Sequence, residues 1–199
     1  MRHLILSLST AVVLLFSSFI SYSEKELKNG DIIFIESTSG QGKAIQLATK
    51  SNLTHVGIIF IENGKPMVYH AVEPVMKNTL DEFKSMSSDG KIYIKRLKDQ
   101  SLLTDEKVTK MLSEAKSKLG LHYDYLFSWN DEQLYCSEFV WKLYSHNLGL
   151  SLGKLKQLKD FDLSHPVVKF KLQERYGNNI PLKEEMISPG DMYNSELLH

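Results

Sequence analysis

Leu53-Thr54-His55-Val56-Gly57-Ile58-Ile59-Phe60-Ile61-Glu62-Asn63-Gly64-Lys65-Pro66-Met67-Val68-Tyr69-His70-Ala71-Val72 is the stretch whose reading decides the fold. Two strand-like runs, 56–61 and 67–72, flank Asn63-Gly64, and an Asn-Gly pair between apolar runs is the strongest short-range signal for an antiparallel hairpin. If that pair is the centre of a two- or four-residue loop, Gly57 faces His70 and His55 faces Val72. Both imidazoles then share one sheet face as diagonal neighbours, about 7–8 Å apart at the backbone. By the same parity Glu73 points to the opposite face. A loop of odd length reverses the assignment, because a slip of one residue turns every side chain over.

Outward from the hairpin, residues 31–35 follow Asn29-Gly30 and read as a strand, as do residues 91–97. Residues 44–50 suit a short helix, and Thr79 with Glu82 fits a capping box opening another. Thr104 caps the clearest helix, in which Val108, Met111, Leu112, Ala115 and Leu119 form one apolar stripe before Gly120. A second good helix begins near Cys136, turns Val140, Leu143 and Tyr144 inward, and stops at Gly149. Residues 166–175 suit a third, stopped by Gly177. Strands gather early and helices late, which predicts an α+β fold: an antiparallel sheet or small barrel packed against the helix that carries the cysteine. That helix is expected over the face holding the two histidines.

The chain has 199 residues, the length of one domain, and its 42% hydrophobic and 24% charged content is that of an ordinary globular protein. This excludes a disordered, collagenous or multi-span membrane chain. Lys and Arg number 24 and so do Asp and Glu, so no basic field points to nucleic acid. A single cysteine excludes an intrachain disulfide and a Cys-rich zinc site. Met1-Arg2-His3, the apolar run through Phe16 and the small residues before Glu24 have the parts of a secretory signal over residues 1–23, leaving 24–199 as the domain. The alternative is a retained anchor, but the uninterrupted apolar run is shorter than the roughly 18–20 residues a spanning helix needs. The expectation is an exported protein, periplasmic or secreted, with no stable membrane span after signal removal.

In an exported protein a lone thiol is either a buried hydrophobe or a reactive group. Cys136 opens a helix, where unpaired N–H groups and the positive dipole end favour a thiolate. Apolar Val140 and Leu143 on the same face turn it toward the protein body. Taken alone, a buried structural thiol is at least as good a reading. A nucleophile needs a base, and His55, beside the small Gly57, is the best placed, with His70 diagonal to it. Two histidines on a sheet face are also ordinary polar or core residues. The histidines show no close ligand spacing, so no metal site and no cofactor is expected.

Leu53-Thr54-His55-Val56-Gly57-Ile58, Val68-Tyr69-His70-Ala71 and Tyr135-Cys136-Ser137-Glu138-Phe139-Val140 together resemble the circularly permuted, YiiX-like branch of the NlpC-type papain-like cysteine hydrolases. The order, histidine before cysteine, is the permuted one. The resemblance runs from Gly30-Asp31-Ile32-Ile33-Phe34 to Ser188-Pro189-Gly190-Asp191-Met192-Tyr193. It implies a permuted papain-like fold with Cys136 as nucleophile, His55 as base and His70 as the group orienting the base, a position often held by Glu in relatives. Leu119-Gly120-Leu121-His122-Tyr123-Asp124 matches the stretch in which relatives carry an active-site tyrosine. This makes Tyr123 the candidate substrate-binding or oxyanion residue, although the Gly-Gly that follows that tyrosine in relatives is missing. Asp124 has the alternative of capping a helix. The implied activity is an exported thiol hydrolase that cleaves an amide bond through an acyl-enzyme. The substrate is a small peptide or amide, a peptidoglycan fragment among the candidates. Two rival readings remain: a thioesterase or acyltransferase acting on acyl lipid, and a non-catalytic binding module on the same fold.

Overall fold

Asn63 and Gly64 both adopt positive φ, 51° and 75°, the two-residue turn whose twist matches right-handed strands. The computed structural model describes residues 26–199, so the signal expected over residues 1–23 lies outside the described residues. The turn joins β2 (His55–Glu62) to β3 (Lys65–His70) with Glu62 opposite Lys65 and Ile58 opposite Tyr69, which is the even-length register. β1 (Ile32–Ile35) pairs antiparallel with β2 on one side and with β5 (Tyr93–Lys95) on the other. β4 (Met76–Thr79) pairs with β3. The resulting order, β4-β3-β2-β1-β5, is an open five-stranded antiparallel sheet rather than a barrel.

Both faces of the sheet are covered, which is why β1 reads Ile-Ile-Phe-Ile without alternation. Ile32, Phe34, Val56, Ile58 and Phe60 pack against Met111 and Ala115 of α3 (Asp105–Ser117) and Phe139, Val140 and Leu143 of α4 (Cys136–Leu148). Ile33, Ile35, Ile59 and Val68 face the other way, toward Leu80 and Phe83 of α2 (Leu80–Ser85). This corrects one expectation. α4 does not lie over the histidines; it packs on the opposite face, and Phe83 covers the histidine side, stacked on His55 with ring centroids 5.5 Å apart and edge-on to His70 at 5.1 Å. Side-chain alternation along β2 is the cause, since Val56 faces α4 and its neighbour His55 therefore cannot.

The remaining elements close the far end of the molecule. α1 (Gly42–Thr49) packs against α5 (Pro166–Tyr176). β6 (Lys156–Gln157) pairs with β7 (Glu185–Met186), which leads into α6 (Pro189–Tyr193). Ser188 caps α6 by accepting the Asp191 N–H at 3.1 Å. A Cβ on Gly190 would lie 2.6 Å from Cβ of Ser51, so only glycine permits this approach. Asp31 and Arg96 clamp β1 to the strand-5 segment through paired bonds of 2.6 and 2.7 Å. Among the described residues no helix is long and apolar enough to cross a membrane.

Candidate active site

His55 Nε2 and His70 Nδ1 are 2.9 Å apart, and His70 Nε2 is 2.7 Å from Asn78 Oδ1. The amide of Asn78 is oriented by its own donor, which reaches Glu82 Oε2 at 3.3 Å, while Glu82 is held as the capping-box partner of Thr79. The chain of roles follows from the chemistry of each group. Asn78 Oδ1 accepts, so His70 carries its proton on Nε2 and offers a lone pair at Nδ1. His55 must then donate from Nε2, which leaves His55 Nδ1 as its one free basic atom. Burial lowers the pKa of both rings; the charge of His70 lowers His55 further, and His70 falls to about 4 despite its bond to Asn78. Both are neutral at physiological pH.

Gly57 makes this geometry possible. A Cβ there would meet Val68 Cγ1 at 2.7 Å, the Tyr69 carbonyl oxygen at 3.0 Å and His70 Cβ at 3.2 Å.

Cys136 is the first residue of α4 and is buried. The start of the helix is held by Ser137, whose hydroxyl donates to the Ile187 carbonyl at 2.7 Å, and by Tyr135, whose hydroxyl accepts the Ile187 N–H at 3.2 Å. The Tyr135 N–H donates to Glu138 Oε2 at 3.3 Å. Burial pushes the Cys136 thiol up to about 11, against the backbone N–H groups of Val56, Ser137 and Cys136 itself, which pull it down. Two things follow. The sulfur faces the backbone N–H of Val56, the residue next to His55 on β2. The resting sulfur is also a thiol, where the helix N-terminus alone led to the expectation of a stabilised thiolate; desolvation outweighs the dipole.

Tyr123 is buried, and its phenol is held well above its usual pKa, first by burial and next by the charge a Cys136 thiolate would carry. Its hydroxyl accepts from Gln41 Nε2 at 3.0 Å, and Gln41 is oriented in turn by Arg175, which donates to Gln41 Oε1 at 3.0 Å. The phenolic proton is thereby left for a further acceptor. Glu73 does not reach His55. It accepts the Tyr123 N–H at 2.9 Å and bonds His122 Nδ1 at 2.7 Å, so it anchors the tyrosine's backbone. Asp124 caps no α-helix; it accepts from the N–H groups of Leu126 and Ser128 and shapes the loop.

Two cavities meet here. One, about 100 Å³, is lined by Cys136 and mostly by apolar side chains, among them Ile45, Ala48, Leu158, Phe161 and Leu172. The other, about 560 Å³, is more polar and is lined by His55, Thr54, Ser37, Ser39 and Glu73. Gln41, Tyr123, Lys171 and Arg175 line both and form the divide.

Asn78, Gln41 and Arg175 are the site residues that sequence reasoning missed. Asn78 carried one usable signal, its place immediately before the capping box. Gln41 and Arg175 lie 134 positions apart and carried none.

A family of permuted papain-like amidase enzymes, YaeF/YiiX, C92, matches residues 26–199. The chain is 44% identical over 171 residues to the uncharacterized protein YiiX of Escherichia coli K12, covering 86% of this chain and 84% of that one. It also matches the crystal structure of YiiX from Escherichia coli O157:H7, at a TM-score of 0.82 and 44% identity, covering 86% of this chain and 94% of that one. That relative is described as a metalloprotein. In the present chain no three His, Cys, Asp or Glu side chains among the described residues are grouped to hold a metal ion, and the facing nitrogens of His55 and His70 are bonded to each other. With the α+β fold and the meeting of the histidine hairpin with the cysteine helix, the match over the whole described chain establishes that this protein belongs to the YaeF/YiiX family of permuted papain-like amidase enzymes.

Proposed function

We propose that the protein is an exported thiol amidase in which Cys136 is the nucleophile, His55 the base and His70 the residue that orients it. The observation that carries this reading is the chain Glu82–Asn78–His70–His55, which leaves His55 Nδ1 as a free lone pair on the strand whose next residue, Val56, turns its N–H to the Cys136 sulfur. In the first half-reaction the thiol proton passes to His55 Nδ1 and the sulfur bonds the carbonyl carbon. The oxyanion takes the free proton of the Tyr123 hydroxyl as a hydrogen bond. The C–N bond then breaks and His55 gives its proton to the departing amine. In the second, water loses a proton to His55 and bonds the thioester carbon, the C–S bond breaks, and the sulfur recovers its proton. His70, at a pKa of about 4, stays a neutral acceptor throughout, so it steadies the imidazolium without competing for the proton.

The acyl half remains on Cys136, so it occupies the cavity that Cys136 lines, and that lining is apolar. This favours an amide with an apolar acyl group over a polar peptidoglycan fragment, and it keeps an acyl-lipid thioester or acyl transfer as the second reading. Export rests on the basic start and apolar run of residues 1–23.

The test is to incubate the protein with N-octanoyl amides and record its intact mass. An octanoyl adduct on Cys136 with stoichiometric amine release supports the reading. Turnover that persists in Cys136→Ala, or an adduct on another residue, refutes it.

A further inference from the structure

Arg175 is a half-buried cation with no carboxylate at ion-pair distance among the described residues, its nearest counter-charge being the field it shares with Asp124. Its guanidinium stacks over Phe127, 4.3 Å from the ring centroid, and it donates to Gln41 and to the Tyr176 hydroxyl. The neighbouring charges are already answered. Lys171 donates to Glu174 at 2.7 Å, Glu73 is taken by His122 and the Tyr123 N–H, and the Asp124 oxygens accept backbone N–H groups. An arginine carries five N–H donors in a planar fork. Stacking fixes the plane of the fork, and the bonds to Gln41 and Tyr176 leave its other N–H groups on the divide between the two cavities.

The direction of the reaction says which half of a substrate meets that edge. The amine half is protonated by His55 and must leave through the cleft that His55 lines, while the acyl half stays with Cys136. We infer that Arg175 recognises a carboxylate on the amine half, which makes the substrate class N-acyl amino acids and short peptides with an apolar acyl side. The inference rests on the thiol amidase reading and deepens it. A planar guanidinium matches a carboxylate through two parallel bonds, which Asp124, with its oxygens on backbone N–H groups, does not supply.

The experiment compares N-octanoyl-glycine with N-octanoyl-glycinamide, which differ in that charge alone. In the wild-type protein kcat/KM for the acid is expected to exceed that for the amide by about 10- to 100-fold. In Arg175→Gln the ratio is expected to fall to near one, and in Arg175→Lys to keep part of the preference. The ratio is read because loss of Gln41 orientation lowers both rates together and leaves it unmoved. Equal wild-type rates, a ratio that survives Arg175→Gln, or cleavage of neither compound overturns the inference. p-Nitrophenyl octanoate separates the two failures. Acylation of Cys136 by this neutral ester, without preference for the acid, sinks the carboxylate subsite alone; no acylation of Cys136 sinks the amidase reading with it.

Discussion

His55 and His70 face each other across neighbouring strands with Nε2 and Nδ1 2.9 Å apart, and this one bond decides which atom of His55 can act as a base. Replacing His70 with Ala is expected to lower kcat by about 10²–10⁴-fold, the usual worth of a correctly poised acid–base group, with the fold retained by circular dichroism. Asn78→Leu acts through the same chain and is expected to cost less, because His70 remains. Wild-type turnover in His70→Ala would show that His55 needs no orienting partner.

Tyr123 and Glu73 separate a donor from its support. Tyr123→Phe removes the hydroxyl proposed to bond the oxyanion and is expected to reduce kcat by roughly 10²–10³-fold with little change in KM. Glu73→Ala frees the Tyr123 backbone and should produce a smaller loss of the same kind. A larger effect for Glu73 than for Tyr123 in steady-state rates would point to a direct role for the carboxylate.

The thiol's pKa of about 11 predicts a specific alkylation profile. Below that value the thiolate fraction, and with it the iodoacetamide rate at Cys136, should rise about tenfold per pH unit. A plateau beginning near neutral pH would mean that a thiolate–imidazolium pair is already formed in the resting enzyme.

Gly57→Ala is expected to destabilise the protein by about 1–3 kcal/mol in urea unfolding, because the new methyl meets the Tyr69 carbonyl and Val68 at distances that force the hairpin apart. Activity should fall with it, since the displaced Cβ belongs to His70. A neutral effect on both would show that β3 can move without cost.

Glu138 titrates at about 7, raised by burial against the pull of Lys142. Lys142 Nζ is 2.8 Å from Glu138 Oε1 and also donates to the Asn130 carbonyl and Asp131 Oδ1. The folded pKa lies above the unfolded value of 4.5, so the native state binds more protons between those two pH values. The Glu138 contribution is therefore fully present below about pH 4.5 and is lost as pH rises to about 7. Burial of His55 and His70 has the opposite sign, with stability gained as pH rises toward 6.5. Subtracting the stability curve of Glu138→Gln from that of wild type isolates the first effect: the difference should slope between pH 4.5 and 7 and be flat above. A flat difference throughout would place the carboxylate's titration outside that window.

The hairpin, the helix starts at Thr104 and Cys136, and the shared face of His55 and His70 were legible because each depends on local chemistry: turn residues, caps and parity. β4 was not legible, because Met76-Lys77-Asn78-Thr79 forms an edge strand with alternate residues exposed, held by backbone pairing that leaves no hydrophobic signature. With β4 went Asn78. The side on which α4 lies was misjudged for another reason: parity fixes which residues share a face, but which helix covers it is a tertiary outcome. That the sulfur turns inward was legible from Val140 and Leu143 on its face; that desolvation outweighs the helix terminus is tertiary in the same way.

The Ser137 hydroxyl ends on the carbonyl of Ile187, and the Tyr135 hydroxyl on its N–H, so the residues flanking the thiol are clasped by a segment fifty positions further along the chain. A chain emerging from synthesis carries His55, His70 and Cys136 before that clasp arrives. The start of the cysteine helix is pinned only when that segment docks. Order around Cys136 is therefore a late event in folding, set by contacts that span fifty positions of the chain.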